Sequence, residues 1–230
     1  GKTANFDAEW RVCEQSKYYN TPYLYKDNGF VDKEKAQELV TFLSDPLPAQ
    51  AVIEKIERKK ETKNPPLLFN LAEIQNECAK QFKISPDETL NIIQELYEKK
   101  LVTYPRTDAR VLSTAVSKEI TKNLNGLSKY QMAAPYMQDI LHYGAYKNLA
   151  KTRYVNDKQI TDHYAIIPTG QGLNNLAGLT PTAAKVYEVI VRRFLSIFYP
   201  PAVYQKFSLT VKVKEENFFA SFKVLVQEGY

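Results

Sequence analysis

The chain has 230 residues, 44% hydrophobic and 25% charged, the range of ordinary globular proteins and enough for one large or two modest domains. No apolar run approaches the roughly 20 residues that span a bilayer, and Cys13 and Cys78 stand alone, which argues against a zinc cluster or a disulfide framework and fits a reducing, cytoplasmic setting. A balance of 31 basic against 26 acidic residues leaves a net charge of +5, which permits nucleic-acid binding without demanding it.

The opening Gly-Lys-Thr-Ala-Asn carries neither Met nor an apolar signal region, so the chain reads as a piece of a longer protein. Phe6, Ala8, Trp10 and Val12 alternate with Asp7, Glu9 and Arg11, the pattern of a half-buried strand. Tyr18 to Asn28 is rich in Tyr, Asn and Pro and reads as loop. Asp32 is placed to cap a helix with Ala36, Leu39, Val40 and Leu43 on one stripe, and 51–58 reads weakly as a strand. Lys63-Asn64-Pro65-Pro66 is a break, because a proline holds the residue before it in extended backbone.

Asn70 with Glu73 is a capping box for a helix with Leu71, Ile74, Cys78 and Phe82 on one face. Ser85-Pro86-Asp87-Glu88 opens a second helix, with Leu90, Ile93, Leu96 and Tyr97 expected inward. Leu101 to Tyr104 follows as a short extended segment. Helix, tight turn, helix, short strand is the order of a winged-helix unit, although a plain helical hairpin shares it. Ser113 caps a third helix through Val116, Ile120 and Leu124, and a fourth is expected over 135–149. Thr180-Pro181 starts a long helix with Val186, Tyr187, Ile190, Phe194 and Phe198 aligned, stopped by Pro200-Pro201. Leu209, Val211 and Val213, then Phe218, Ala220, Phe222, Val224 and Val226, alternate around Glu215-Glu216-Asn217 as a hairpin. The fold class is therefore α+β. A discontinuous β-rich domain (1–80 and 168–230) is interrupted by a helical, winged-helix-like domain (81–167).

Sixteen tyrosines make tyrosine as such uninformative, yet Tyr104 stands out. It ends an extended segment, precedes Pro105 and lies two residues before Arg106, so phenol and guanidinium would project to one face. A phenolate can attack a phosphodiester, and a guanidinium can hold the phosphate by two hydrogen bonds and stabilise the charge on its oxygens. By spacing alone the plainer reading prevails: a packed aromatic and a surface ion-pair partner. The run from Asp162-His163-Tyr164 to Pro168-Thr169 likewise fits a loop histidine that merely packs.

Together the strings point further. Leu101-Val-Thr-Tyr-Pro-Arg-Thr-Asp-Ala-Arg-Val-Leu-Ser113 resembles the segment that holds the nucleophilic tyrosine of type IA DNA topoisomerases, and Asp162 to Thr169 resembles the family's histidine segment. Pro65 to Gln75, Leu179 to Pro200 and Phe219 to Tyr230 are similar to further parts of the same enzymes. Pro105 and Ile166-Ile167-Pro168-Thr169 look more like the topoisomerase III branch. Ala109 departs from the family's usual serine, and Tyr164 from its usual neighbours of the histidine.

The resemblance implies cleavage of one DNA strand through Tyr104, leaving a 5′-phosphotyrosine link, then strand passage and religation. Arg106 and His163 would complete the catalytic group, and Thr103, Thr107, Asp108 and Arg110 would contact DNA. The β-rich part would be the arch of a toroid. Magnesium would sit in a Toprim domain bearing Asp-x-Asp, a pattern absent from these residues. The stretch by itself is thus expected to be inactive, to bind no metal, and to meet single-stranded DNA as a monomer. The alternatives are a non-catalytic winged-helix module, an interaction domain, or another tyrosine strand-transferase. Tyrosine recombinases fit poorly, since the tyrosine here precedes the histidine and no His-x-x-Arg occurs.

Overall fold

The structure is a computed structural model and describes residues 5–230. The described residues form two compact units: one from residues 5–63 with Ala202–Glu228, the other from Asn64–Pro201 with the final two residues.

The first unit is built on a four-stranded antiparallel sheet in the order β1-β6-β5-β4. Its strands are β1 (Glu9–Arg11), β4 (Val52–Lys63), β5 (Ala202–Val213) and β6 (Glu216–Gln227). The hairpin turns at Lys214, whose φ of 54° is the left-handed geometry of a tight connection, so Glu216 already lies in β6 opposite Val213. β4 runs the full length of β5, from Val52↔Lys212 to Lys63↔Ala202, well beyond the eight residues read from sequence. Its side chains are almost all exposed, so it has no apolar alternation to display; the ladder to β5 defines it.

The segment expected to be loop contains a small hairpin, β2 (Leu24–Lys26) with β3 (Gly29–Phe30). It brings Phe30 onto Trp10 at 5.1 Å and edge-on to Tyr18 at 4.9 Å. Helix α1 (Lys33–Leu43) buries Leu39, while Val40 faces water and Asp32 makes no capping bond. Beneath the aromatics lies a buried carboxylate. Glu216 accepts from Trp10 Nε1 and Ser16 Oγ, both at 2.8 Å.

The second unit contains α2 (Leu71–Phe82), α3 (Pro86–Glu98), α4 (Thr114–Lys118), α5 (Ile120–Leu127), α6 (Ala134–Tyr143) and α7 (Pro181–Ser196). The caps act locally. Asn70 accepts from Glu73 N, Ser85 from Glu88 N, Ser113 from Val116 N and Thr180 from Ala183 N. Glu73 does not complete a capping box, because its carboxylate pairs with Arg110 at 3.6 Å. The helix expected over 135–149 ends at Gly144 (φ 64°) and resumes as a 3₁₀ turn, Ala145–Lys151.

The core joins Ile74 and Cys78 of α2, Ile93 and Leu96 of α3, Leu124 of α5 and Val186, Ile190 and Phe194 of α7, all without solvent exposure. That shared core moves the domain boundaries from 80/81 and 167/168 to 63/64 and 201/202. α2 and α7 bury their apolar stripes against α3, so both belong with the helices they cover. A winged helix would carry a strand pair beside its helices. Here three isolated bridges take that place: Phe69↔Ile166, Val102↔Pro168 and Leu112↔Val155.

Candidate active site

The two strings singled out in the sequence lie side by side. Thr103 N donates to Ile167 O and Thr169 N to Leu101 O, each at 3.0 Å. The Thr103 hydroxyl donates to Ala165 O and accepts from Ile167 N, again at 3.0 Å. Farther along, Thr107 Oγ1 donates to His163 O at 2.9 Å and accepts from Ala109 N at 3.1 Å. Ile166 N donates to Phe69 O at 2.8 Å, which ties both strings to the entry of α2.

This lacing sets the rings. Tyr104 is partly buried and meets the exposed His163 with ring centroids 4.2 Å apart and planes 38° from parallel. A third ring, Tyr97, meets Tyr104 edge to face at 5.4 Å. Tyr97 was expected in the core of α3. It lies on the solvent side instead, 39% exposed, and its neighbour is Tyr104. No periodicity could have shown this, because the contact depends on how the chain reverses after α3.

Tyr104 and Arg106, expected to share one face of an extended segment, lie outside any strand. The backbone at 104–107 is irregular rather than extended ladder, Arg106 faces solvent, and its guanidinium makes no hydrogen bond or ion pair among the described residues. It remains free to meet an anion from outside.

Of the four expected DNA contacts, three have their polar groups committed within the protein. Thr103 and Thr107 are laced as above. Arg110 donates to Leu68 O at 3.1 Å and Leu67 O at 3.3 Å, so it anchors the strand entering α2. Only the Asp108 side chain is exposed and free of such bonds, while its carbonyl accepts from Asn70 Nδ2. The physical reason is polar satisfaction: a segment that carries its site out of a helical core must find partners for its buried backbone groups.

A second guanidinium supports the same strand. Arg193 of α7 lies 3.9 Å from the Phe69 ring centroid and donates to Leu67 O at 3.0 Å. Burial draws its pKa below the usual guanidinium range. On the far side, Gly126 of α5 packs against the backbone of Gly170, where an added Cβ would lie 2.2 Å from the Gly170 carbonyl oxygen. Asn123 Nδ2 donates to Pro168 O at 3.0 Å. The site thus rests on α5 on one flank and on the α2 entry on the other. Tyr164, beside His163, is half-buried, and burial raises its phenol pKa, which disfavours it as the nucleophile.

Among the described residues no group of three or more His, Cys, Asp and Glu side chains could hold a metal ion.

The half-buried Tyr104 phenol thus lies against the His163 imidazole, with the exposed Arg106 two residues on. Comparison with known proteins names the class. The chain belongs to the DNA topoisomerase family, whose model matches residues 5–230, and its relatives make it topoisomerase III-like within type IA.

It is similar to DNA topoisomerase 3 of Bacillus cereus, 34% identical over 202 residues, covering 86% of this chain and 26% of that protein. DNA topoisomerase 3 of Bacillus subtilis is 34% identical over 182 residues, covering 79% of this chain and 24% of that one. The chain therefore spans about a quarter of the length of the curated relatives it matches. In fold it resembles the full-length topoisomerase I of Thermotoga maritima, with a TM-score of 0.61 and 21% identity over 96% of this chain and 33% of that one. No helix among the described residues is long and apolar enough to cross a membrane.

Proposed function

We propose that this chain supplies the nucleophile of a type IA topoisomerase. Tyr104 Oη attacks a DNA phosphodiester. The Oη–P bond forms and the P–O3′ bond breaks. The phenolic proton departs, the 3′ oxygen leaves as a hydroxyl, and the 5′ phosphate stays on the tyrosine. Reversal of the same step religates the strand, so bond energy is conserved while another strand passes.

Arg106 grips the phosphate and stabilises the charge on its oxygens, which its free guanidinium supports. His163, packed on the Tyr104 ring, donates a hydrogen bond to the DNA backbone or to the reacting oxygens. The observation that carries the reading is the Tyr104–His163 ring contact at 4.2 Å, made between two distant strings that both match the family. Magnesium would neutralise charge near the scissile phosphate when bound by carboxylates outside these residues. The sheet unit would form the arch of the ring and the helical unit the gate, acting as a monomer on single-stranded DNA in the cytoplasm.

The test is covalent trapping in the full-length protein on a labelled single-stranded oligonucleotide, read on a denaturing gel. Tyr104→Phe is expected to abolish the adduct and leave binding intact. Arg106→Ala is expected to slow cleavage by about 10²–10³, the usual cost of losing one charge-stabilising donor. Arg106→Lys restores part of it, since the charge returns without the fork. An adduct that persists in Tyr104→Phe sinks the assignment. Absence of any adduct in the unaltered protein favours a non-catalytic nucleic-acid module.

A further inference from the structure

Tyr97 carries no role in the cleavage step above, yet its surroundings are unusual for a helix residue. α3 buries Ile93 and Leu96 completely, one turn and one residue away, while Tyr97 stays 39% exposed. A tyrosine so placed contributes little to the core.

The chain then reverses abruptly. Lys100 takes a φ of 62°, Lys100 N donates to Tyr97 O at 2.8 Å and Leu101 N to Leu96 O at 2.9 Å. This closure turns the backbone at the end of α3 so that Leu101–Tyr104 follows directly, and it brings Tyr104 edge to face with Tyr97 at 5.4 Å and 83°. Gly172 locks the reversal from outside, its α carbon so close that a Cβ there would lie 2.3 Å from Lys99 O. Asn175 Nδ2 holds the same carbonyl at 3.0 Å. Tyr104 thus has two aromatic neighbours: His163, whose backbone is tied down by Thr107, and Tyr97, whose backbone is tied down by the reversal.

A tyrosine side chain has two torsions to settle. Edge-to-face and offset ring contacts have defined geometry, and two of them from independently anchored elements leave the phenol little freedom. For attack on a phosphate this is useful, since a reacting oxygen already held in place converts a search into a step. We propose that Tyr97 is a positioning residue, whose ring holds the Tyr104 phenol in its attacking rotamer. The ring performs this task and the hydroxyl does not, since Tyr97 Oη has no hydrogen-bond partner among the described residues. The proposal rests on Tyr104 being the nucleophile.

The experiment is single-turnover cleavage of a labelled single-stranded oligonucleotide by the full-length protein, with affinity measured separately by anisotropy. Tyr97→Leu keeps a helix-forming apolar side chain and removes the ring. Cleavage is expected to slow by about 10- to 100-fold, the penalty of a misplaced reacting group, with affinity and thermal midpoint unchanged. Religation should slow in parallel, so the cleaved fraction at equilibrium stays where it was. Tyr97→Phe should restore most of the lost rate.

Wild-type cleavage by Tyr97→Leu overturns the proposal. So does a Tyr97→Phe as slow as Tyr97→Leu, because the hydroxyl would then be the working part. Loss of affinity and thermal stability together with rate makes Tyr97 merely structural and also overturns it. Tyr104→Phe run alongside separates the two levels: an adduct there removes the nucleophile assignment and the proposal with it, whereas its absence leaves the Tyr97 arms to decide.

Discussion

The two units bury their side chains in different ways. In the helical unit, Ile74, Cys78, Ile93, Leu96, Leu124 and Phe194 have no exposure at all, and one core runs through five of its helices. In the sheet unit, β4 is exposed along nearly its whole length, and the buried apolar residues are few: Tyr18, Leu39, Ala202, Leu209, Val211 and Ala220. The helical unit is held by dry packing, the sheet unit by its ladder, an aromatic cluster and one buried carboxylate. The lesson concerns precision. The proposed cleavage site, which would need its rings closely held, lies in the densely packed unit, where displacement of any element costs buried area.

The largest contrast should appear in thiol chemistry, since each unit carries one cysteine. Cys78 is buried in the helical core and burial pushes its pKa up to about 11. Cys13 of the sheet unit is partly exposed. Because the thiolate is the reactive form, Cys78 is held as a protonated, shielded thiol near neutral pH by its raised pKa. With a disulfide reagent at pH 8, Cys13 is expected to react rapidly and Cys78 only as the helical unit opens. Equal rates would mean that the helical core is no better closed than the sheet.

Core truncation comes next. Phe194→Ala removes a fully buried ring that packs edge-on against Phe198 at 5.2 Å, and should cost about 3–5 kcal/mol. Circular dichroism at the helical minimum should follow this loss more closely than fluorescence of Trp10, the only tryptophan, which sits in β1. A loss seen equally by both probes would break the comparison, since it would show one cooperative body.

Glu216→Ala is the counterpart in the sheet unit. It strips the acceptor from Trp10 Nε1 and Ser16 Oγ, and an orphaned buried donor costs about 1–3 kcal/mol. Trp10 emission should report it, while the helical signal stays nearly still.

The smallest effect should come from Tyr187→Phe. Tyr187 is fully buried in α7 and its hydroxyl has no hydrogen-bond partner among the described residues. Burial raises its pKa strongly. Losing that hydroxyl should be neutral or stabilise the helical unit by up to about 1 kcal/mol. A marked destabilisation would reveal a partner for the hydroxyl and a wetter core.

Local chemistry was readable in advance. The caps at Asn70, Ser85, Ser113 and Thr180, the proline breaks at 65 and 200, and the hairpin of β5 and β6 rest on residues within a few positions of each other. So did the identity of the two family strings, which are contiguous. What involved distant residues was decided by the tertiary structure. β4 gains its length from pairing with a strand far downstream, and its own side chains carry no pattern. The unit boundaries moved because α2 and α7 share a core with α3. Arg110 and Thr107, read as DNA contacts, donate to carbonyls of Leu67, Leu68 and His163, which lie far from them in the chain. Tyr97, read as core, lies off the buried face of α3 formed by Thr89, Ile93 and Leu96, and the left-handed residue at Lys100 turns the following chain back so that Tyr104 meets it. Backbone propensity acts over a few residues; which ring lies against Tyr104 is chosen by the packing of the whole unit.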